Sequence, residues 1–361
     1  MAEPIKNTFN SNSLLEFARA IQAAYAPFDE EEFLKSTLNE TWENLELKAR
    51  VRQISTQLGK FLPAEYEAAL GIIDKLLESY DGPCLFCLPD FVEVFGQHEK
   101  YLSVSLDALG RYTQYFSSEF AIRPFIIEHE DFAMAQMLAW ATDSNEHLRR
   151  LSSEGCRPQL PWGQALVKYK KDPTPILPIL EKLKADPSAY VRKSVANNLN
   201  DISKTHPDLV ISIAKDWYGK NEATNWIVKH GCRTLLKKGN REVLSLFGYH
   251  GDAPVTISSF SLNAKSIAIG DSVVFSFDLL AKKAAKIRLE YAIDYVKHNG
   301  KRNRKIFQLS EFSVNEGTSK QYNRKHSFAD VSTRKHYPGP HTITLIINGT
   351  EHTSADFLLS K

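Results

Sequence analysis

The sequence has no hydrophobic run long enough to cross a membrane as a helix. None of its apolar stretches approaches the roughly 18 to 20 residues that such a helix needs. The opening MAEPIKNTFN also lacks the basic and apolar regions of a signal peptide, so we expect a cytoplasmic protein. Apolar residues make up 43% of the chain and charged residues 24%, which is typical of soluble globular proteins. At 361 residues, the chain is long enough for two domains.

Cysteine is scarce, which excludes a protein stabilised by a network of disulfides. The chain has only four cysteines, too few for its length. Cys84 and Cys87 form a CxxC pair, but no second pair or nearby histidine completes a four-ligand metal site. Their apolar neighbours indicate small core residues. Cys156 and Cys232 lie in apolar helical patterns and are interpreted in the same way. We therefore expect no metal site at these cysteines.

The small net charge of +2 conceals an uneven distribution. Residues 251–361 carry 16 basic and 10 acidic side chains, whereas residues 1–250 carry 29 and 33. Within the first part, residues 182–241 hold 12 basic and 5 acidic side chains. Two concentrations of positive charge indicate a polyanionic partner. A solvated basic surface is the alternative.

Hydrophobic periodicity divides the chain near residues 249–253. From Leu14 to Leu246 the apolar residues follow helical spacing, as in LLEFARAIQAAY and YEAALGIIDKLL. After Gly251, short runs rich in β-branched and aromatic residues predict strands, as in SVVFSFDL and HTITLIING. We expect a mainly α protein in which an α-α superhelical solenoid (1–250) precedes an immunoglobulin-like β-sandwich (251–361).

One helical segment resembles the second helix of a HEAT repeat. DPSAYVRKSVANNL (Asp186–Leu199) has further, progressively weaker matches at Asn225–Leu235, His147–Cys156 and Gln114–Ala121. The register gives four equivalent positions, spaced as in helical solenoids: Glu119, Glu154, Asn197 and Arg233. Equivalent positions line one face of a solenoid, so these four side chains are predicted to form a row on the concave surface. Basic residues that precede the last three by one helical turn flank this row: Arg150, Lys193 and Lys229.

The two glutamates in this row are candidate catalytic residues. Exposed glutamate is common, so an ordinary solvated helix residue is the alternative for each. Their surroundings favour a site. Glu154 precedes a helix-terminating turn that carries a cation and a large aromatic, Arg157 and Trp162. Glu119 is followed by Phe120 and an Arg-Pro pair.

These segments resemble the AlkC family of HEAT-like-repeat alkylpurine DNA glycosylases. The resemblance is carried by SSEFAIRPF, LSSEGCRPQLPW, VRKSVANNLNDISKTHPD and WIVKHGCRTLLKKG. It extends to AEPIKNTFN, LELKARVRQI, YVKHNGK and RKHSFADVSTRKHYPG, so it covers nearly the whole chain. The sequence departs from the family pattern at Gly231-Cys232, where two larger residues are expected. This difference affects helix packing and not the chemistry of the site. Without the resemblance, the competing interpretation is a non-catalytic HEAT-repeat scaffold that binds DNA or protein.

The resemblance implies a bacterial enzyme that excises N3-methyladenine from double-stranded DNA. It allows N3-methylcytosine and N1-methyladenine as further substrates, and it implies sharply kinked DNA whose lesion is not fully flipped out. The residues that match the family's active site are Glu119 and Glu154, with Trp162, Arg157 and Asp201 nearby. Such an enzyme acts as a monomer on DNA in the nucleoid and touches no membrane.

Hydrolysis of the glycosidic bond of a cationic base is chemistry that two carboxylates can support. N3-methyladenine is cationic in DNA, so no acid needs to protonate the leaving base, and a carboxylate stabilises the oxocarbenium-like sugar and orients water. Two neighbouring carboxylates also repel each other until a cation arrives, which selects cationic lesions. We assign Glu154 as the principal carboxylate and Glu119 as its partner, with Asp201 helping to hold water. Trp162, Phe120 and Arg157 contact the nucleotide. No lysine is suited to form a Schiff base, so we expect a monofunctional enzyme that needs neither a metal nor a cofactor.

Basic and amide side chains are predicted to bind DNA, chiefly through its phosphates. The helical part contributes Arg150, Arg157, Arg192, Lys193, Asn197, Asn198, Lys204, Lys229, His230, Arg233, Lys237 and Lys238. In the β-domain, KHNGKRNRK surrounds an Asn-Gly turn, and Lys301, Arg302 and Arg304 are predicted to reach a DNA groove. A solubilising loop is the alternative for this hairpin.

Overall fold

A computed structural model of the chain describes residues 4–331 and 334–361. Two segments that carry the family resemblance extend beyond them, at Ala2 and Glu3 and at Ser332 and Thr333. Helices come first and strands follow: the last helix ends at Leu246 and the first strand begins at Val255. A helical first part and a C-terminal β-sandwich-like part are therefore present, as the periodicity predicts. No described helix combines the length and apolar character needed to span a membrane.

The helices are mostly short, and irregular turns separate them. The α-helices are α1 (Ser11–Ala24), α2 (Glu30–Thr37), α3 (Leu47–Phe61), α4 (Tyr66–Leu76), α5 (Cys87–Phe95), α6 (Leu102–Tyr112), α7 (Ile122–Glu128), α8 (Glu130–Trp140), α9 (Glu146–Gly155), α10 (Val167–Lys171), α11 (Leu177–Leu183), α12 (Ala189–Ile202), α13 (Pro207–Trp217), α14 (Glu222–Gly231), α15 (Arg233–Lys237) and α16 (Arg241–Leu246). Short 3-10 helices lie at Ile5–Thr8, Trp42–Asn44, Pro83–Phe86, Glu99–Tyr101 and Thr174–Ile176.

Three of the four repeat-like segments are helical. They form α9, α12 and the α14 region, and α12 packs between α9 and α14. Val191, Val195 and Leu199 recur at helical spacing on α12 and are buried. The fourth segment, Gln114–Ala121, is a turn between α6 and α7. The predicted equivalence of Glu119 to positions inside repeat helices is therefore wrong.

The chain separates into two compact units. One comprises Met1–His206 and Trp217–Gly231, and the other comprises Pro207–Asp216 and Cys232–Lys361. The last two short helices, α15 and α16, thus belong to the same unit as the strands. The domain boundary expected between residues 250 and 251 of this chain stays a prediction.

The strands form two sheets. Their bounds are β1 (Val255–Leu262), β2 (Ser266–Ala268), β3 (Ser272–Ala281), β4 (Ala285–Val296), β5 (Arg302–Val314), β6 (Ser319–Ser327), β7 (Gly339–Ile347) and β8 (Thr350–Ser360). One sheet has the order β1-β3-β6 and the other β2-β8-β7-β4-β5. All pairs are antiparallel except β2–β8. On β3, Val273, Phe275, Phe277 and Leu279 alternate into the core, as expected for a strand with one buried face.

The turn between β7 and β8 packs against α15 and α16 within the second unit. Gly239 and Gly349 have φ values of 67° and 79°, and a Cβ added at Gly349 would lie 2.6 Å from Leu244 Cδ1 and 3.1 Å from Gly239 Cα. The side chain of Asn348 accepts from the backbone N–H of Arg288 (2.7 Å) and donates to the carbonyl of His250 (2.9 Å). The close approach of the two glycines leaves little room for a Cβ at Gly349, and a Cβ at Gly239 would lie 3.3 Å from the carbonyl oxygen of Gly349.

Candidate active site

The two predicted glutamates line one cavity in the first unit. Glu154 lies near the end of α9, and Glu119 lies in the turn before α7. The cavity has a volume of about 610 Å³. Arg150, one turn before Glu154 on α9, places its Nη2 2.5 Å from Glu119 Oε2 and 3.7 Å from Glu154 Oε1. The two carboxylates therefore stand on either side of one guanidinium, although 35 positions separate them in the sequence.

Glu154 is held at both carboxylate oxygens. Ser194 Oγ on α12 donates to Oε2 at 2.6 Å, and Arg157 Nη1 donates to Oε1 at 2.6 Å. Only 7% of the side chain is exposed. These two bonds fix the direction in which the carboxylate faces, because each oxygen is tied to a different neighbour.

Arg157 joins Glu154 to Asp201. Its Nε and Nη2 each lie 2.8 Å from Asp201 Oδ2, and Lys204 Nζ donates to Asp201 Oδ1 at 2.8 Å. Burial by itself lowers the pKa of Arg157, but the adjacent Glu154 and Asp201 outweigh burial and raise that pKa. Asp201 is buried and does not line the cavity. It contacts Arg157, which lines the cavity, and its predicted assistance in holding a water stays a prediction.

A fully buried arginine supports the segment that follows Glu154. Arg123 on α7 donates to the backbone carbonyls of Gly155 (2.8 Å), Arg157 (2.9 Å) and Gln164. Burial lowers the pKa of Arg123 to about 10, so the group remains a cation at neutral pH. The Arg123 side chain thereby holds together the two ends of the loop that carries Arg157 and Trp162. In the sequence, Arg123 is distinguished only as part of the Arg-Pro pair that follows Glu119.

Aromatic side chains form much of the cavity wall. Trp162 is 74% exposed and has φ of 62°, in the left-handed region that residues with side chains rarely adopt. The ring centroid of Tyr190 lies 5.1 Å from the Arg150 guanidinium carbon. Phe120 also lines the cavity, and its contact with the nucleotide stays a prediction. The remaining lining residues are Ile5, Thr8, Phe9, Leu47, Lys48, Pro83, Phe86, Tyr115, Phe116, Ser117, Arg157, Leu160 and Pro161.

Glu119 and Glu154 were expected to repel each other, but in the structure arginine side chains lie between and beside them. Arg150 and Arg157 supply positive charge on both sides of Glu154, and Arg150 also pairs with Glu119. Arg150 was predicted to contact phosphate, yet its side chain is only 14% exposed. Its guanidinium is the internal counter-ion of the two carboxylates.

The predicted DNA-binding residues of the first unit are not equally accessible. Lys193 is exposed, and Asn197, Lys229 and His230 are partly exposed. Arg192 directs one guanidinium nitrogen to the backbone carbonyls at the start of α12. Lys204 is exposed but pairs with Asp201.

Asn198 differs from its predicted role. The residue is fully buried, and Nδ2 donates to the carbonyl of Ser153 at 2.8 Å. It therefore joins α12 to α9 and presents no surface to DNA. The helical register alone does not separate Asn198 from Asn197, which lies one position earlier and is partly exposed.

In the second unit, the predicted basic residues fall into two groups. Lys237 and Lys238 are exposed at the end of α15, and Arg233 begins that helix. Lys301 lies beside the Asn299–Gly300 turn, whereas Arg302 and Arg304 lie on β5. Arg302 donates to Thr342 Oγ1 and the carbonyl of Pro340, and Arg304 pairs with Glu351 and Asp294.

The four cysteines are buried and unpaired in disulfides. Burial raises the pKa of the Cys84, Cys156 and Cys232 thiols to about 12. Among the residues that the structure describes, no group of three or more His, Cys, Asp or Glu side chains is arranged to hold a metal ion.

Comparisons with known proteins agree on the family to which the chain is related. Residues 116–235 match the family model described as DNA alkylation repair enzyme, and residues 256–361 match the model of the C-terminal Ig-like domain of uncharacterised protein YhaZ. The chain is 44% identical over 353 residues to the uncharacterized protein YhaZ of Bacillus subtilis, with 98% of each chain covered. It also resembles the structure of Pseudomonas fluorescens alkylpurine DNA glycosylase AlkC bound to DNA containing an abasic site analog. The TM-score is 0.95 at 37% identity, over 99% of this chain and 100% of that chain. Similarity in sequence and fold over the whole length shows that this chain belongs to the AlkC family of alkylpurine DNA glycosylases, with a C-terminal immunoglobulin-like domain.

Proposed function

We propose that this protein is a monofunctional DNA glycosylase that removes cationic alkylated bases from duplex DNA and leaves an abasic site. N3-methyladenine is the principal substrate, and N3-methylcytosine and N1-methyladenine are further candidates. The supporting observation is the cage around Arg150. Two carboxylates and the ring of Tyr190 surround a planar cation at the cavity wall. An alkylated base is also planar and cationic, so the same groups are suited to its charge and shape.

Glu154 is assigned the principal catalytic role. A cationic base leaves without being protonated, so the enzyme has to stabilise positive charge that develops on the sugar and to orient a water. A carboxylate fixed in one direction provides both without reorganising during the reaction. The bonds from Ser194 and Arg157 give Glu154 that fixed direction. Because no lysine is assigned as a Schiff-base nucleophile, the proposed reaction is a simple hydrolysis.

Glu119 and the aromatic wall are assigned to substrate recognition. Glu119 faces the cationic base, and Trp162 and Phe120 contact its ring or sugar. Asp201 is a positioning residue, because it contacts Arg157 and Lys204 rather than the cavity. The family resemblance adds that the DNA is kinked and the lesion is not fully extruded.

DNA binding is assigned to accessible basic groups of a HEAT-like helical stack and of the β-domain. In the first unit these are Lys193 and Lys229, together with His230. In the second unit, Lys237, Lys238 and Lys301 are the corresponding candidates. Phosphate contacts of this kind supply affinity without sequence preference, which suits an enzyme that searches DNA for damage.

The test measures free methylated bases and abasic sites after the protein acts on methylated duplex DNA. We expect release of N3-methyladenine, and we expect Glu154→Gln to slow it by about 100-fold or more, as is typical for loss of a group that stabilises transition-state charge. Binding to undamaged duplex should be retained, as should release by the control Glu128→Gln, which changes an exposed glutamate at the end of α7. A protein that binds DNA but releases no base would instead be a scaffold. Unchanged release by Glu154→Gln would remove that residue from its assigned role.

A further inference from the structure

Lys48 connects the beginning of α3 to the cavity mouth. Its Nζ donates to the backbone carbonyl of Trp162 at 3.1 Å and lies 4.8 Å from the ring centroid of Phe120. All three residues line the cavity that contains Glu119 and Glu154. The sequence contains no local pattern that joins Lys48 to Trp162, because 114 residues separate them.

The backbone of Trp162 needs such a contact. Its φ of 62° lies in a region that a residue with a Cβ adopts only when the surroundings hold it there. Burial of the indole provides no such restraint, because 74% of the residue is exposed. Arg123 holds the loop at Gly155, Arg157 and Gln164. Lys48 supplies a hydrogen bond directly to the strained residue.

A lysine at the mouth of a DNA-binding site is ordinarily expected to bind phosphate. The position of the Lys48 ammonium group favours a different role. It is engaged by a carbonyl oxygen on one side and by an aromatic face on the other. Both partners belong to segments that flank the glutamates: Phe120 follows Glu119 directly, and Trp162 is in the loop after α9.

We propose that Lys48 is a positioning residue that holds the exposed indole of Trp162 at the cavity mouth, where it contacts the alkylated nucleotide. The proposal rests on the proposed function for its catalytic consequence. Its structural part, that Lys48 sets the conformation of Trp162, does not depend on that function.

A double-mutant cycle tests the catalytic part. The variants Lys48→Met, Trp162→Ala and the double variant are compared for single-turnover release of N3-methyladenine. We expect Lys48→Met to slow release about tenfold in the presence of Trp162 and less than about twofold in the Trp162→Ala background, since coupled residues depart from additivity. The salt dependence of duplex binding should not change. Lys60→Met, at the exposed far end of α3, is the matched control and should retain the unaltered rate.

Equal slowing in both backgrounds would overturn the proposal. So would a decrease of about one in the salt slope of duplex binding, which is the signature of a lost phosphate contact. A second measurement does not need activity. In protein labelled with fluorotryptophan, the ¹⁹F resonance that disappears in Trp162→Phe should shift in Lys48→Met and not in Lys60→Met. An unshifted resonance refutes the positioning role, whereas absence of base release by the unmodified protein refutes only the proposed function.

Discussion

Because Asp201 forms a buried ion pair with Arg157, we expect the conservative substitution Asp201→Asn to cause a large loss of stability. Asp201→Asn keeps the shape of the side chain and removes its charge. In the native protein, Oδ2 receives the two guanidinium donors and Oδ1 receives Lys204 Nζ. An amide has one acceptor oxygen and one NH₂ group, so its donor faces a cation whichever way it turns.

Burial determines the magnitude of this effect. The side chains of Asp201 and Arg157 are 2% and 8% exposed. Removing one partner of a buried ion pair costs about 3–5 kcal/mol, because the other charge loses its compensation. Arg157 retains Glu154, so we expect the lower end of that range, about 3 kcal/mol in the free energy of unfolding. For a unit of this size, the corresponding decrease in Tm is about 6–12 °C.

Thermal and urea unfolding at pH 7 provide the measurement, and Lys204→Met provides the control. The Lys204 side chain is 42% exposed, and ion pairs exposed to this degree contribute only about 0–1 kcal/mol. The two variants each disturb Asp201, but only one disturbs its buried contact. If they lowered the free energy of unfolding equally, the reasoning from burial would be refuted.

Three other predictions concern Ser194, Gly155 and Cys156, which lie on or beside α9, and Gly71 on α4 serves as a comparison. Ser194→Ala removes the 2.6 Å bond to Glu154 Oε2, and we expect base release to slow about tenfold while duplex binding stays the same; an unaltered single-turnover rate would contradict this. Gly155→Ala should destabilise the protein by about 1–3 kcal/mol, because the added Cβ would lie 2.7 Å from a side-chain carbon on α7. At Gly71, on the exposed face of α4, an added Cβ meets nothing within 4 Å, so Gly71→Ala should stabilise the protein by about 0.5–1 kcal/mol. Urea unfolding of the two glycine variants measures whether the free energy of unfolding falls for Gly155→Ala and rises for Gly71→Ala. Burial raises the pKa of Cys156 to about 12, so this thiol should resist iodoacetamide at pH 8 until the protein is unfolded, as mass spectrometry of the labelled peptides would show.

Local patterns in the sequence predict the helices and strands well, because burial imposes the period of each element directly. The end of α9 also follows from local signals, since Gly155 and the proline-containing segment after it cannot continue the helix. The turn at Gln114–Ala121 does not follow the repeat pattern. There, Ser118 Oγ donates to the carbonyl of Leu109 at 2.8 Å, and its backbone N–H donates to Thr113 Oγ1. Such side-chain bonds compete with helix formation, and their partners depend on tertiary packing.

In the candidate site too, some residues could be predicted from local sequence patterns, whereas others depend on tertiary contacts. Repeat spacing and the residues that follow each glutamate selected Glu119 and Glu154, even though Glu119 is not in a helix. The direction of Arg150 was not predictable, because the sequence does not distinguish a cation that faces phosphate from one that faces a carboxylate. Lys48 was missed for a different reason. Its contacts lie on segments distant in the chain, and no spacing rule connects them.

The close approach of Gly239 and Gly349 affects how the chain can be divided for experiments. Because the backbone of the β7–β8 turn fits against α15 and α16, residues 233–246 are mechanically an extension of the sandwich and should exchange their amide hydrogens together with it. A cut after residue 250 would strip these two short helices of their support and uncover Leu244, which is 3% exposed in the intact protein. A fragment that ends at Gly231 leaves α15 and α16 with the sandwich, although it separates residues 207–216 from the second unit to which they belong.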